Sequence, residues 1–426
     1  MRYLLLLSSA IILAASGSCL MAETPNENVT LSLGLGYDQI TQGYYLSVTD
    51  TLALDEDSIT TLRQTSDAIN AFRLKSSVNW MKQVSSNGNI ELNNFSYVSD
   101  EDFRNSLDLR LRIRSVTLEN QLDIRSVWKE MGISRTGYVT NSITGRVRPE
   151  LASGMFFVAK NSFELVRYDG SDDFSFDYNY NKLSIGLEKE FGWTDLIAFT
   201  YRNDRRIVGD SARLNYSRHR ALLEFAWSPS LELSMEVRNE LMRILSNKED
   251  NVDDAWEEFL ETELTVLPSD RWRIGVKNQF EYSVFDSQDV VNFDYIYNTA
   301  ELKTGYFPAI ALELFIKPSA AIFWSRYEEF QDQDYEQVAA EYGLDLSLGD
   351  RLWVNASHKI GKRDYTSDTN EFYSDYILNQ FNLLGDLRIY GSLNLNAIVS
   401  VDWENHDPRE DDNRLSLVSI GLDYRF

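Results

Sequence analysis

Apolar and polar residues alternate with a period of two along most of the chain. Counting back from Phe426 gives Tyr424, Leu422, Ile420 and Val418, with Arg425, Asp423, Gly421, Ser419 and Leu417 between them. Such alternation puts one aromatic and aliphatic face on one side of a strand. Upstream, Leu107, Leu109, Leu111 and Ile113 alternate with Asp108, Arg110, Arg112 and Arg114. The pattern slips near Ser115, which predicts a turn or a bulge there. Leu231, Leu233, Met235 and Val237 alternate with Glu232, Ser234, Glu236 and Arg238. Leu260, Thr262, Leu264 and Val266 oppose Glu257, Glu261, Glu263 and Thr265. Beyond a turn at Pro268–Asp270, Trp272, Ile274 and Val276 oppose Arg271, Arg273, Lys277, Gln279 and Glu281. Pairing across that turn sets Glu261 against Lys277 and Thr265 against Arg273.

Val29–Tyr37 opens the series of strands, and a polar, Thr-rich stretch follows from Asp50 to Asp67. Ala71–Val84, a turn at Ser85–Gly88 and Asn89–Val98 form a hairpin, with an acidic loop beginning at Asp100–Asp102. Short turns are expected at Pro149–Ser153, Phe191–Asp195, Ser228–Ser230, Pro268–Asp270, Phe307–Ala309, Gly349–Asp350 and Gly385–Gly391. Longer polar loops fall at Asp169–Asp173, Asn247–Glu257, Glu328–Asp334, Lys362–Glu371 and His406–Asn413. Short turns at one rim and long acidic loops at the other describe an all-β, transmembrane, antiparallel up-and-down β-barrel. With roughly 9–11 residues per crossing strand, about 18 strands are expected, within a range of 16–20. Both termini then fall on the short-turn, periplasmic side, as an even strand number demands.

Charges on such strands must face water, because Arg or Lys at the bilayer midplane costs about 2–4 kcal/mol. The candidate lumen-lining residues are therefore Arg110, Arg112, Arg114, Arg146, Arg148, Glu232, Glu236, Arg238, Glu261, Glu263, Arg273 and Lys277. The five arginines at 110–114 and 146–148 would form a basic patch that either guides anions inward or neutralises facing carboxylates. Tryptophans near strand ends (Trp80, Trp128, Trp193, Trp227, Trp272, Trp324, Trp353 and Trp403) suit interfacial girdles, and any on the lumen side could stack on sugar rings.

Composition adds compartment and exclusions. Arg2, the apolar Leu4–Ala15 run and the small residues that follow read as a secretory signal peptide over residues 1–22, cleaved after Ala22. Residues 23–426 are then one barrel domain. The single cysteine, Cys19, lies inside that signal, and Ser16 stands where a lipoprotein signal needs an aliphatic residue. A mature chain without cysteine has no disulfides, iron–sulfur clusters or cysteine-ligated zinc. No stretch holds the ~20 apolar residues of a spanning helix. The formal charge of −25 argues against nucleic acid as a partner.

Catalysis would have to pass through His219, His358 or His406. Ser357 and His358 are adjacent, and neighbours on a strand point to opposite faces, so they cannot form a dyad. Glu249–Glu258 is acidic but lacks the glycine and spacing of a calcium loop. Neither an enzyme, a metal nor a cofactor is expected.

The signal peptide, the alternating strands and the closing LVSIGLDYRF resemble those of bacterial outer-membrane β-barrels. That resemblance implies that Val418, Ile420, Leu422, Tyr424 and Phe426 are read by the barrel insertion machinery. It also implies that the last strand closes on the first, in a membrane containing lipopolysaccharide. The length and the LGLGY opening strand are similar to porin-like barrels found with exopolysaccharide gene clusters. This second resemblance implies a path for a secreted polysaccharide and a periplasmic export protein at the short-turn rim. Three readings stand: a polysaccharide export channel, a general diffusion porin, and a non-conducting anchor or adhesin.

Overall fold

A computed structural model of the chain describes residues 27–51, 58–86, 88–99, 102–127, 137–168, 177–192, 194–209, 215–246, 254–287, 292–366, 374–407 and 412–425. The expected signal peptide, Trp128, Trp193, Phe426 and the first half of the Glu249–Glu258 loop lie outside these residues. The first strands are β1 (Glu27–Thr51), β2 (Ser58–Ser85), β3 (Gly88–Ser99), β4 (Asp102–Ile113), β5 (Val116–Val127), β6 (Tyr138–Val147) and β7 (Glu150–Ala152). Next come β8 (Met155–Tyr168), β9 (Tyr178–Glu190), β10 (Leu196–Val208), β11 (Tyr216–Ser230), β12 (Leu233–Ser246), β13 (Ala255–Ser269) and β14 (Trp272–Phe285). The last are β15 (Tyr295–Ala309), β16 (Leu312–Ser325), β17 (Tyr335–Leu348), β18 (Leu352–Tyr365), β19 (Tyr376–Tyr390), β20 (Leu393–His406) and β21 (Asn413–Arg425).

Each strand pairs antiparallel with the next, and β21 returns to β1 from Ser32↔Arg425 to Tyr44↔Asn413. The exception is β7, which pairs with β8 alone while β6 also pairs with β8. Pro149 explains the break, since it has no N–H to give to the ladder. The wall is thus a closed ring of 20 strands plus one short outside strand, not about 18. The turns that join strands two by two leave out the first and the last, and β1 and β21 close the ring together. Asn94, Asn120, Asn141, Asn203 and Asn278 stand on the outer face, where apolar residues would continue the alternation.

Which face is inside follows from burial and register together. Val166, Ala198, Ala255, Phe315, Ala339, Leu378, Asp204, Ser283 and Ser357 are all buried, and the register puts them on one face. Leu35, Phe72, Leu118, Ile143, Phe199, Val276, Ile316, Val338 and Ile420 are exposed on the other. The concave side shields its residues and the convex side presents an aliphatic coat. Most tryptophans follow the coat: Trp80, Trp227, Trp272, Trp324 and Trp403 face outward, while Trp353 points inward, contrary to a girdle role.

The outer asparagines satisfy themselves along the wall. The Nδ2 groups of Asn94, Asn120, Asn203 and Asn278 donate to carbonyls of the adjoining strand at 3.3, 3.4, 3.4 and 2.9 Å. Asn120 and Asn278 also donate to the Asn141 and Asn298 side chains at 3.3 and 3.2 Å. A buried amide is tolerable in an apolar setting once its hydrogen bonds are made.

The polar stretch from Asp50 to Asp67, expected to interrupt the strands, instead belongs largely to them. β1 continues to Thr51 and β2 starts at Ser58, paired from end to end. Thr49, Thr51, Thr60, Thr61 and Thr65 favour extended backbone, so polarity hid a strand propensity. Beyond Tyr44, β1 has no β21 partner, and β3 joins β2 only from Arg73, so this hairpin projects past its neighbours.

Candidate functional site

The tight turns set the register and hence the inner wall. Arg114 and Ser115 make the two-residue β4–β5 turn, with Arg114 at φ 53°. Arg114 is therefore a turn residue, not a lining one. Leu231 and Glu232 likewise form the β11–β12 turn, where Leu231 is 93% exposed. Glu232 is a turn residue too, but it still lines the inner cleft described below; the pleat begins two residues later than the alternation suggested. At the β13–β14 turn the strand runs through Pro268 to Ser269, and Glu261 lies opposite Gln279, Glu263 opposite Lys277 and Thr265 opposite Gly275. The expected register was two residues off. An even slip keeps every side chain on its own face, so Glu261, Glu263, Arg273 and Lys277 still face inward. Glu261 even keeps its ion pair with Lys277, on the diagonal, at 2.9 Å.

From β12 to β17 the inner charges form a mesh. Glu240 joins Arg238 and Arg220, each at 3.1 Å, and Arg220 also holds the buried Asp204 at 3.0 Å. Glu313 serves both Arg273 at 3.2 Å and Lys303 at 3.5 Å. Lys317 meets Glu341 at 3.3 Å. A polar cleft of about 380 Å³ opens here, lined by Glu263, Arg273, Lys277, Glu301, Lys303 and Lys317 among others. Glu236 sits opposite Glu263 on the same face.

The five arginines expected as one basic patch divide three ways. Arg110 is neutralised by Glu119 at 3.1 Å, Glu91 at 3.5 Å and Asp108 at 3.6 Å. Arg148 is held by Glu188 at 2.8 Å and by Glu190, and it lies over the Phe156 ring. Arg114 is in the turn. Arg112 and Arg146 face inward on either side of Thr117, with no carboxylate partner among the described residues.

Sequence reading missed an inner aromatic arc near the long-loop rim. Tyr295 stacks on Phe323 (5.2 Å) and Phe323 on Tyr335 (5.7 Å), while Tyr365 meets Tyr335 edge-on. Arg363 lies 4.0 Å over Tyr335 and is anchored by two hydrogen bonds to Gln337. Phe330, on the 3-10 turn Glu328–Gln333, stacks on Phe293 at 4.9 Å, and Phe293 meets Phe323 edge-on. That loop is thereby pinned against the inner wall. The alternate Tyr and Phe positions were visible, but their height and their neighbours depend on register.

Each histidine is held by a neighbouring hydroxyl. Ser357 is inner and His358 outer, as the strand period requires. His219 accepts or donates with Tyr201 Oη at 2.7 Å, and His358 with Tyr342 Oη at 2.8 Å, both on the outer face. His406 contacts Ser374 at 2.8 Å and lies 3.6 Å from Glu404. Among the described residues no cluster of His, Cys, Asp and Glu could hold a metal ion.

With this geometry in hand, comparison with known proteins bears on the fold. No protein-family model matches the chain, and no curated protein matches it either. Among solved structures it is similar to the alcaligin outer-membrane receptor FauA of Bordetella pertussis, at 10% identity and a TM-score of 0.55, over 92% of this chain and 76% of that one. The siderophore receptor PirA of Pseudomonas aeruginosa gives 10% identity and 0.55, over 95% and 81%. Acinetobacter baumannii OccAB4 aligns at 11% identity and a TM-score of 0.44, over 95% and 100%. The chain has the fold of an outer-membrane β-barrel.

Proposed function

We propose that the protein sits in the bacterial outer membrane, exported by residues 1–22, and gives hydrophilic solutes a path across it. The passage of a polysaccharide out of the cell is the solute reading we favour, with a periplasmic export protein meeting the short-turn rim. One observation carries the channel reading: the charged strand residues gather on the inner wall of a 20-stranded ring whose outer wall is mainly apolar. Strands about 4.8 Å apart and tilted by about 40° enclose a ring roughly 40 Å across between backbones. Side chains reaching inward a few ångströms do not fill that width, which disfavours a solid anchor. Barrels of 16–18 strands already leave aqueous channels.

A second reading, a diffusion porin for small solutes, is favoured by the loop pinned inward through Phe330, since an inward loop narrows the mouth. Single-channel conductance of the refolded protein in a planar bilayer decides between them. A steady conductance, interrupted by added oligosaccharide, supports the polymer path. Conductance indifferent to oligosaccharides moves the reading to a small-solute porin. A correctly folded barrel without conductance overturns both.

A further inference from the structure

The register assembles basic residues that are far apart in sequence into one file. Across the inner face, facing residues of successive strands run Asn89, Arg112, Thr117, Arg146, Lys160 and then Ser184, Arg202, Arg220, Met242. Five members are cations and none is a carboxylate, in a chain with 66 acidic and 41 basic residues. Arg220 is neutralised by Asp204 and Glu240. Arg112, Arg146, Lys160 and Arg202 have no ion-pair partner among the described residues; the first three are exposed to the interior and Arg202 is half-buried.

Such a file lies across the strands, and in a barrel of tilted strands it climbs. Arg112 stands next to the β4–β5 turn, whereas Arg220 is ten residues from the Ser230 end of β11. Strand spacing makes the file roughly 30 Å long, rising on the order of 20 Å. At its upper end three further cations are held against rings: Lys182 on Tyr180 at 4.4 Å, Arg206 on Tyr178 at 4.5 Å and Arg218 on Tyr216 at 4.4 Å. The Nε groups of Arg206 and Arg218 are buried without a hydrogen-bond partner. Aromatic faces fix the cations without cancelling their charge.

We infer that Arg112, Arg146, Lys160 and Arg202 form a spiral binding track for an acidic saccharide chain, received at its upper end by Lys182, Arg206 and Arg218. This rests on the channel reading above and names its substrate class. A flexible polyanion can hold several such contacts at once, and contacts spaced along a file let it advance one group at a time. Thr117 and Ser184, the interruptions within it, offer hydroxyls rather than a competing charge.

The test uses the full-length refolded barrel and oligogalacturonate, with dextran oligomers of matching length as the neutral probe. In the native protein, oligogalacturonate blocks the current with an on-rate that falls steeply with salt. The R112Q/R146Q/K160Q/R202Q variant is expected to lose that block at least tenfold while still conducting, with dextran unaffected. The single variants R146Q and R202Q, each about two- to three-fold weaker, decide the matter should the quadruple variant not fold. Equal loss in R273Q/K277Q would mean bulk charge rather than a track and overturn it. So would undiminished block in the quadruple variant, while its conductance would leave the channel reading standing. A native barrel that does not conduct would overturn both together.

Discussion

Two arcs of the inner wall, one on either side of β11, solve the problem of charge differently. From β12 to β17 several carboxylates are tied to cations on neighbouring strands, Glu261 to Lys277, Glu341 to Lys317 and Glu313 to both Arg273 and Lys303. From β4 to β10 the file through Arg112, Arg146, Lys160 and Arg202 leaves its cations to solvent. The first arc spends its charges on holding strands together. The second can offer them to something that passes. The carboxylates of a strongly acidic chain are thus kept away from one stripe, which separates structural ion pairs from charges available for binding.

Asp204 marks the border between the arcs, and breaking it should have the largest effect. It is 2% exposed and holds Arg220, so D204A leaves a half-buried guanidinium with one partner fewer. A loss of about 2–4 kcal/mol is expected, read as a lower urea midpoint for the folded barrel. E313Q attacks the mesh and frees two cations at once; about 1–2 kcal/mol should go, and the reversal potential in a salt gradient should move toward anions. R363K keeps the charge in the aromatic arc but loses the planar stack on Tyr335 and the paired bonds to Gln337. It should cost about 0.5–1.5 kcal/mol, visible as a lower melting temperature with ion selectivity unchanged. The smallest effect is R114G at the foot of the basic file. Glycine adopts φ 53° without strain, so stability should stay level or rise by up to about 1 kcal/mol, and block by acidic oligomers should not change.

Faces were legible in the sequence because a strand's side chains alternate whatever its partner does. That is why Arg238, Glu261 and Lys277 face inward even though the β13–β14 register came out two residues from expectation. Turn residues were harder: Arg114 and Glu232 continue the alternation by one step past the last paired residue, and the pattern holds no sign of where pairing stops. The role of the outer asparagines was not legible, because their hydrogen bonds to the next strand are tertiary facts. The basic file was not legible at all. Arg112 and Arg202 are ninety positions apart, and only the paired registers of the intervening strands place them on one line. The expected arginine patch grouped residues by sequence distance, and three of its five members turned out to be paired or in a turn.

The seam between β21 and β1 has a consequence for how the molecule comes apart. Thirteen residue pairs join the last strand to the first, so within the wall no strand has an open edge from which unzipping could begin. Opening the ring means breaking one whole ladder before any other is weakened, which raises the barrier to unfolding more than it alters the equilibrium. On a gel, unheated protein in detergent should therefore migrate as a compact species, and only boiling should shift it to the position of its full mass.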